Sequence, residues 1–329
     1  MRRSVLFAAV FLLAGASCGK DSPKEAPAAP AGVSVGFDLK LSDPPARSSF
    51  CPETLDKITD INVWVYQEGV LLPDYSFCRT LSSGNQISIV FPSDSAVYDL
   101  YFFANVGTIA GPALESGIPS AGASLDDYSS FTAKGFPMAG SLSGFSPSGN
   151  GSAVLTRLVG RYDIHAFDNP SNDKVSYTFT EGRMKSCARV IRPFGHVDGL
   201  DGFASRVQDG SEVLENGDLL SASDIAALNS GGTVTLYYLE NCQGRLLPDN
   251  VTQYGKSAEA VAEATGEASR AALCSYLELT CSASTPTAEY SSVKYRAYLG
   301  SDATSDFSVV RNTVHSLTLD MASNLINAN

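Results

Sequence analysis

Residues Val33–Leu41 read VSVGFDLKL. Val33, Val35, Phe37, Leu39 and Leu41 are apolar, and every residue between them is polar or glycine. Successive side chains of an extended chain point to opposite faces, so this alternation predicts a strand with one face buried. Runs of similar character follow at Ile61–Tyr66, Gln86–Phe91, Tyr98–Ala104, Ala153–Phe167, Val175–Thr180, Thr233–Leu239, Leu273–Thr280, Val293–Leu299 and Thr313–Met321. Clusters of Gly, Ser, Pro and Asp separate them and read as turns. Helix is scarce: Ser223–Leu228, with Ser223 or Asp224 as cap, and Lys256–Ala272, interrupted by Gly266. The fold class is therefore all-β, expected as two antiparallel β-sandwiches with a small helical insertion in the second. The Gly/Ser-rich stretch 143–152 marks the seam, giving an N-terminal sandwich over 33–145 and a C-terminal one over 150–329. Two strand-like runs lead into G-x-L-L-P-D, at Gly69–Asp74 and at Gly244–Asp249, a pattern that a structural repeat or chance would both produce.

Upstream of the first strand, Lys20–Gly32 is a Pro/Ala-rich tether with no packable face. Before it, Arg2 and Arg3 precede ten apolar residues (Val5–Ala14), then Gly15-Ala16-Ser17 and Cys18. That order is a lipoprotein secretion signal over residues 1–17: small residues fit the peptidase cleft, and Cys18 is expected to carry the lipid. Ten apolar residues are too few to span a bilayer, which takes about twenty. The expected location is the outer membrane and cell surface, with the membrane as a partner through the N-terminal lipid.

Without residues 1–17 the chain carries 21 Lys and Arg against 35 Asp and Glu, a net charge of −14. This excludes nucleic acid as a natural partner and argues for solubility. Six cysteines follow Cys18. Local pairings would be Cys51 with Cys78 and Cys242 with Cys274, although six cysteines allow fifteen connectivities and buried thiols are an equal alternative. No CxxC spacing and no nearby histidine suggests zinc, and no cofactor is expected.

No enzyme motif stands out: neither a G-x-S-x-G elbow, a P-loop, an H-E-x-x-H pair nor a dinucleotide fingerprint. Glu240 and Asp249 could only by accident make a carboxylate pair, Asp126-Asp127 reads as a solvated loop, and His165 and Trp64 read as strand and core residues. The expectation is a non-enzymatic protein.

One block is more specific. Tyr237-Tyr238-Leu239-Glu240-Asn241-Cys242-Gln243-Gly244, then Leu246-Leu247-Pro248 and Cys274-Ser275-Tyr276-Leu277-Glu278-Leu279, resembles a signature of fimbrillin-like surface lipoproteins of Gram-negative anaerobes. Phe136-Pro137-Met138 with Leu155–Arg161, and Tyr298-Leu299-Gly300, Asp306-Phe307, Arg311-Asn312-Thr313 and Leu317-Thr318-Leu319, are similar to that family's middle and closing segments. The resemblance implies two transthyretin-like sandwiches and a role in a surface fimbrium, with fimbrial subunits as partners. In polymerising members, cleavage after an arginine removes the first strand, and a strand from the next subunit fills the groove. Carried to this chain, the first strand is Val33–Leu41 and the cleavage pair is Arg47 and Ser48. Two features argue for an anchor or minor accessory subunit instead: Ala322–Asn329 makes a poor donor strand, unless the strand Thr313–Met321 itself swings out, and Cys18 would be lost on cleavage. The alternative is a glycan-binding surface lipoprotein, with Tyr128, Tyr254 and Tyr290 as stacking platforms.

Overall fold

A computed structural model describes residues 32–43, 50–168, 175–249 and 252–321. Cys18, Arg47 and Ser48 lie outside the described residues.

The first half contains strands β1 (Val33–Leu41), β2 (Asp60–Gln67), β3 (Val70–Leu71), β4 (Phe77–Thr80), β5 (Gln86–Phe91) and β6 (Tyr98–Ala104). It continues with β7 (Ala123–Ser124), a short helix α1 (Ser130–Lys134), β8 (Met138–Phe145) and β9 (Gly151–Arg157). Eight of these strands form one sheet in the order β3-β2-β6-β8-β9-β1-β5, with β4 also on β2. Between β8 and β9 only Met138↔Arg157 and Ala139↔Thr156 are paired. The sheet bends there, and its two parts face each other across Phe37, Phe91, Phe102 and Phe145, whose rings lie 5.0–6.4 Å apart.

The second half contains β10 (Val159–Asp168), β11 (Ser176–Ala188), β12 (Val190–Ile191), β13 (Val213–Leu219), α2 (Ala222–Asn229) and β14 (Thr233–Leu239). It ends with β15 (Asn241–Arg245), α3 (Ala258–Thr265), β16 (Tyr276–Ser284), β17 (Glu289–Tyr298), β18 (Asp306–Val309) and β19 (Val314–Met321). A β14-β10-β19 sheet packs with a β13-β11-β16-β17 sheet, and β15 pairs β18. Ile164, Val234 and Leu319 from the first and Phe179, Leu277 and Leu279 from the second are buried in one core. That core continues into the first half, and β7 pairs β12 across the junction.

The architecture is all-β, as the alternating runs predict, and it differs from the expectation in detail. The Gly/Ser stretch at 143–152 holds the β8–β9 hairpin, so the chain changes sheets at Leu158, fifteen residues past the start of that stretch. The run Ala153–Phe167 is accordingly two strands. Two pairings, β1 with β9 and β10 with β19, are parallel rather than antiparallel. The two G-x-L-L-P-D segments also diverge: β3 closes a hairpin on β2, whereas β15 leaves β14 to pair β18. α3 is shorter than the expected Lys256–Ala272, whereas α2 extends one residue beyond Ser223–Leu228 at each end. In α2 the cap is Ser221, in a reciprocal box with Asp224. Gly266, at φ 72°, ends α3 in the left-handed conformation its sequence position signals.

Candidate functional site

Val35, Phe37 and Leu39 of β1 are buried while Ser34, Gly36, Asp38 and Lys40 are exposed, the pattern read from the sequence. β1 is held on both sides, antiparallel to β5 from Val33↔Phe91 to Asp38↔Gln86 and parallel to β9 from Phe37↔Gly151 to Leu41↔Leu155. Its outer face adds Ser34 Oγ to Ser88 Oγ at 2.6 Å and Gln86 Nε2 donating to Asp38 at 2.8 Å. The Phe37 ring fits because Gly151 has no side chain: a β-carbon there would lie 2.3 Å from the ring.

At the end of β1, every polar group of Ser42 is engaged. Its N–H donates to the Leu155 carbonyl (2.8 Å), its carbonyl accepts from Arg157 Nη1 (2.9 Å), and its hydroxyl accepts from Asn312 Nδ2 (3.1 Å). Arg157 is the hub. Nε and Nη2 make a bidentate pair with Asp56 (2.6 and 2.8 Å), Nη1 also donates to Asn312 Oδ1 (2.9 Å), and the guanidinium lies over the Phe50 ring. Burial pulls the Arg157 guanidinium down, but the Asp56 carboxylate more than offsets it and the pKa is raised. Arg161 Nη1 and Tyr237 Oη both donate to the Phe50 carbonyl. The chain is thus anchored at Ser42 and Asp43 before residues 44–49, and at Phe50 after them.

Sequence reasoning missed this knot. One signal was present: Arg157 follows Ala153 and Leu155 at buried-face spacing, and a charge on a buried face demands partners. Nothing local pointed to Asp56 or Asn312 as those partners. Asn312 stands at φ 53°, a conformation asparagine tolerates better than most residues.

The remaining candidates are dispersed. None of the local cysteine pairings is bridged: Cys51 is buried beside Asp56 and Arg157, while Cys78 is exposed on β4. Cys242 and Cys274 are free thiols in two different apolar clusters, the first with Val197 and Ala204 and the second with Leu247 and Val261. Burial pushes the Cys51 and Cys274 thiols up to about 12, which leaves them inert. Glu240 is sealed by a bidentate Arg311 (2.5 and 2.8 Å) and by the Ser205 N–H (2.6 Å), whereas Asp249 is an exposed partner of Arg245. No carboxylate pair results. With Asn241 and Gln243 bonded to Val207, this block serves to hold segment 192–207 against β15. Trp64 is a core residue whose Nε1 donates to the Ile109 carbonyl, and His165 faces the Gly232 carbonyl. Tyr128 is buried with its hydroxyl on the Ala188 carbonyl and Tyr254 packs on the core, so only Tyr290 of the expected aromatic trio is exposed.

Residues 236–319 match a family described as a domain of unknown function, DUF4906. No curated protein matches the chain. Among solved structures, the fold is similar to the tip fimbrial protein Mfa3 from Porphyromonas gingivalis, in a C-terminally truncated form. That likeness has a TM-score of 0.52 at 11% identity, covering 88% of this chain and 96% of that one. It is also similar to a fimbrilin (FimA) from Porphyromonas gingivalis, with a TM-score of 0.51 at 14% identity, covering 89% and 92%. At such identities the likeness is one of fold.

Proposed function

We propose that this chain is a non-enzymatic accessory subunit of a surface fimbrium, delivered to the outer membrane by a lipid on Cys18. It acts as an anchor or minor subunit and joins its neighbours by β-strand complementation. The observation that carries this reading is β1: a nine-residue strand, paired on both sides, whose alternate side chains fill a groove between β5 and β9. Main-chain hydrogen bonds and alternating pockets are what an exchanged strand requires, and they do not depend on which chain supplies the strand. The fold shared with fimbrial proteins agrees with it.

The reading separates two fates. A chain that keeps Cys18 and β1 has its groove filled and terminates a fibre at the membrane; a chain cut between Arg47 and Ser48 presents the groove to another subunit's strand. Mass analysis of the N-terminus, on protein recovered from cells in fractions separated by size, tests it. An acylated Cys18 terminus in the high-mass fimbrial fraction is the expected result for an anchor, and a Ser48 terminus there for a joined subunit. Recovery solely as an isolated full-length monomer overturns the proposal.

A further inference from the structure

Asn312 occupies the turn that leads into β19, yet its side chain is spent on the other half of the molecule. Its Oδ1 accepts from Arg157 at 2.9 Å, and its Nδ2 donates to Ser42 Oγ at 3.1 Å and to the Asp43 carbonyl at 3.3 Å. Its backbone N–H meanwhile donates to the Val159 carbonyl at 2.8 Å, and the Thr313 carbonyl accepts from Arg161 at 2.9 Å. Those two bonds are the start of the β10–β19 ladder, whose first pair is Arg161↔Val314. One buried residue therefore bonds the chain at the end of the first strand with its side chain and the start of β10 with its backbone N–H, where the β10–β19 ladder opens.

We infer that the Arg157–Asn312 knot is an interlock: β1 in its groove holds the beginning of β19 on β10, and loss of β1 releases it. Three side-chain bonds of Asn312 and two donors of Arg157 reach Ser42, Asp43 or one another, so withdrawing Ser42 and Asp43 leaves buried polar groups unpaired on the β19 side. Unpaired groups of this kind cost more than the bonds contribute when made, which gives the coupling its sign. β19 is the part able to respond, because among the described residues it lies at the edge of the β14-β10-β19 sheet, with a strand on one side. The device rests on the strand-exchange reading for its purpose: a chain that retains β1 keeps its last strand docked, and a chain that has given up β1 frees it. The coupling itself is a property of the intact chain, and by linkage it runs both ways.

Hydrogen exchange followed by mass spectrometry on the intact mature chain tests it. Asn312→Gly keeps the positive φ and deletes the three side-chain bonds. The expected result is faster exchange in β1 and in the first half of β19 together, by roughly tenfold, while β17 in the facing sheet is unchanged. The reciprocal variant Ser42→Ala, which removes a single acceptor on the β1 side, speeds exchange at the start of β19 by roughly threefold. Acceleration confined to β19 in Asn312→Gly, or an equal acceleration of β17, overturns the interlock. Asn312→Asp, which keeps an acceptor for Arg157, covers the case in which the glycine variant does not fold: it must speed β1 and β19 together or the inference fails. None of these outcomes bears on the N-terminus found in cells, so the interlock and the fimbrial role can fail separately.

Discussion

The first strand and the last strand are both partners in parallel pairs, β1 with β9 and β19 with β10, but they are held by different physics. β1 has a strand on each side and three side chains at 1–3% exposure, Val35, Phe37 and Leu39. Among the described residues β19 has one neighbour in its sheet, and of its first five residues none is buried; Leu319 and Met321 reach the core near its end. Burying a large apolar side chain contributes about 1.5–3 kcal/mol, so β1 is fastened chiefly by its pockets. β19 is fastened at its start by polar bonds, those of Asn312 included. A strand fastened by pockets can be replaced by any strand with the same alternation; one fastened by specific polar partners is sensitive to what those partners do.

The largest expected effect tests that asymmetry directly. Phe37→Ala removes a ring in contact with Phe91, Phe102 and Phe145 and is expected to cost about 3–5 kcal/mol in urea unfolding. Leu317→Ala in the half-buried part of β19 is expected to cost about 1 kcal/mol. A Leu317 variant as destabilised as the Phe37 variant would break the comparison.

A second difference is electrostatic. Lys256 is buried beside the second half's last strand: its Nζ donates to the carbonyls of Asp302 (2.9 Å) and Leu299 (3.3 Å) and lies over the Phe307 ring. Burial brings its pKa down to about 8. In the unfolded chain the ammonium keeps its proton up to about 10.4, so between these values the unfolded state binds more protons and stability rises with pH. Relative to Lys256→Met, the natural chain is expected to gain about 2 kcal/mol as the pH goes from 8 to about 10, read from urea midpoints at each pH. A flat difference would mean that the lysine is solvated and that the two ends of the molecule respond alike to pH.

Much of this contrast was legible in the sequence. The alternation of Val33–Leu41 gave β1 with its boundaries and its buried face, and Gln86–Phe91, Tyr98–Ala104 and Thr233–Leu239 are strands over those residues. Each is an apolar-rich run bounded on at least one side by Gly, Asn, Ser or Pro, and Val33–Leu41 alternates strictly, so local pattern and burial agree. The short strands β3, β4, β7, β12, β15 and β18 carry too few residues to show a period. That the stretch 143–152 holds a hairpin was not legible because Ser and Gly mark a hairpin as readily as a linker, and it is the pairing of β9 with β1 that shows it. The Arg157 knot joins residues 42, 56, 157 and 312, a separation no local pattern encodes. The local cysteine pairings were open for a related reason: proximity in sequence says nothing of which apolar cluster each thiol enters.

The finest test of the pocket argument lies within the β1–β9 ladder, where two glycines differ only in the face they serve. Gly151 opposes Phe37, and Gly151→Ala places a carbon 2.3 Å from its ring, so ring or strand must shift; a loss of about 1–3 kcal/mol is expected. Gly36 is one residue away on the outer face of β1, where a β-carbon would meet nothing closer than Asn150 Oδ1 at 3.6 Å. Its φ is not positive, so alanine is unstrained there, and restricting the unfolded chain should stabilise by about 0.5 kcal/mol. Thermal unfolding of the two variants side by side reads this. Opposite signs place the hold on β1 in the pocket that Phe37 fills. A loss at both glycines would place it in the backbone ladder, and a replacing strand would then need register with β5 and β9 more than a matching row of apolar side chains.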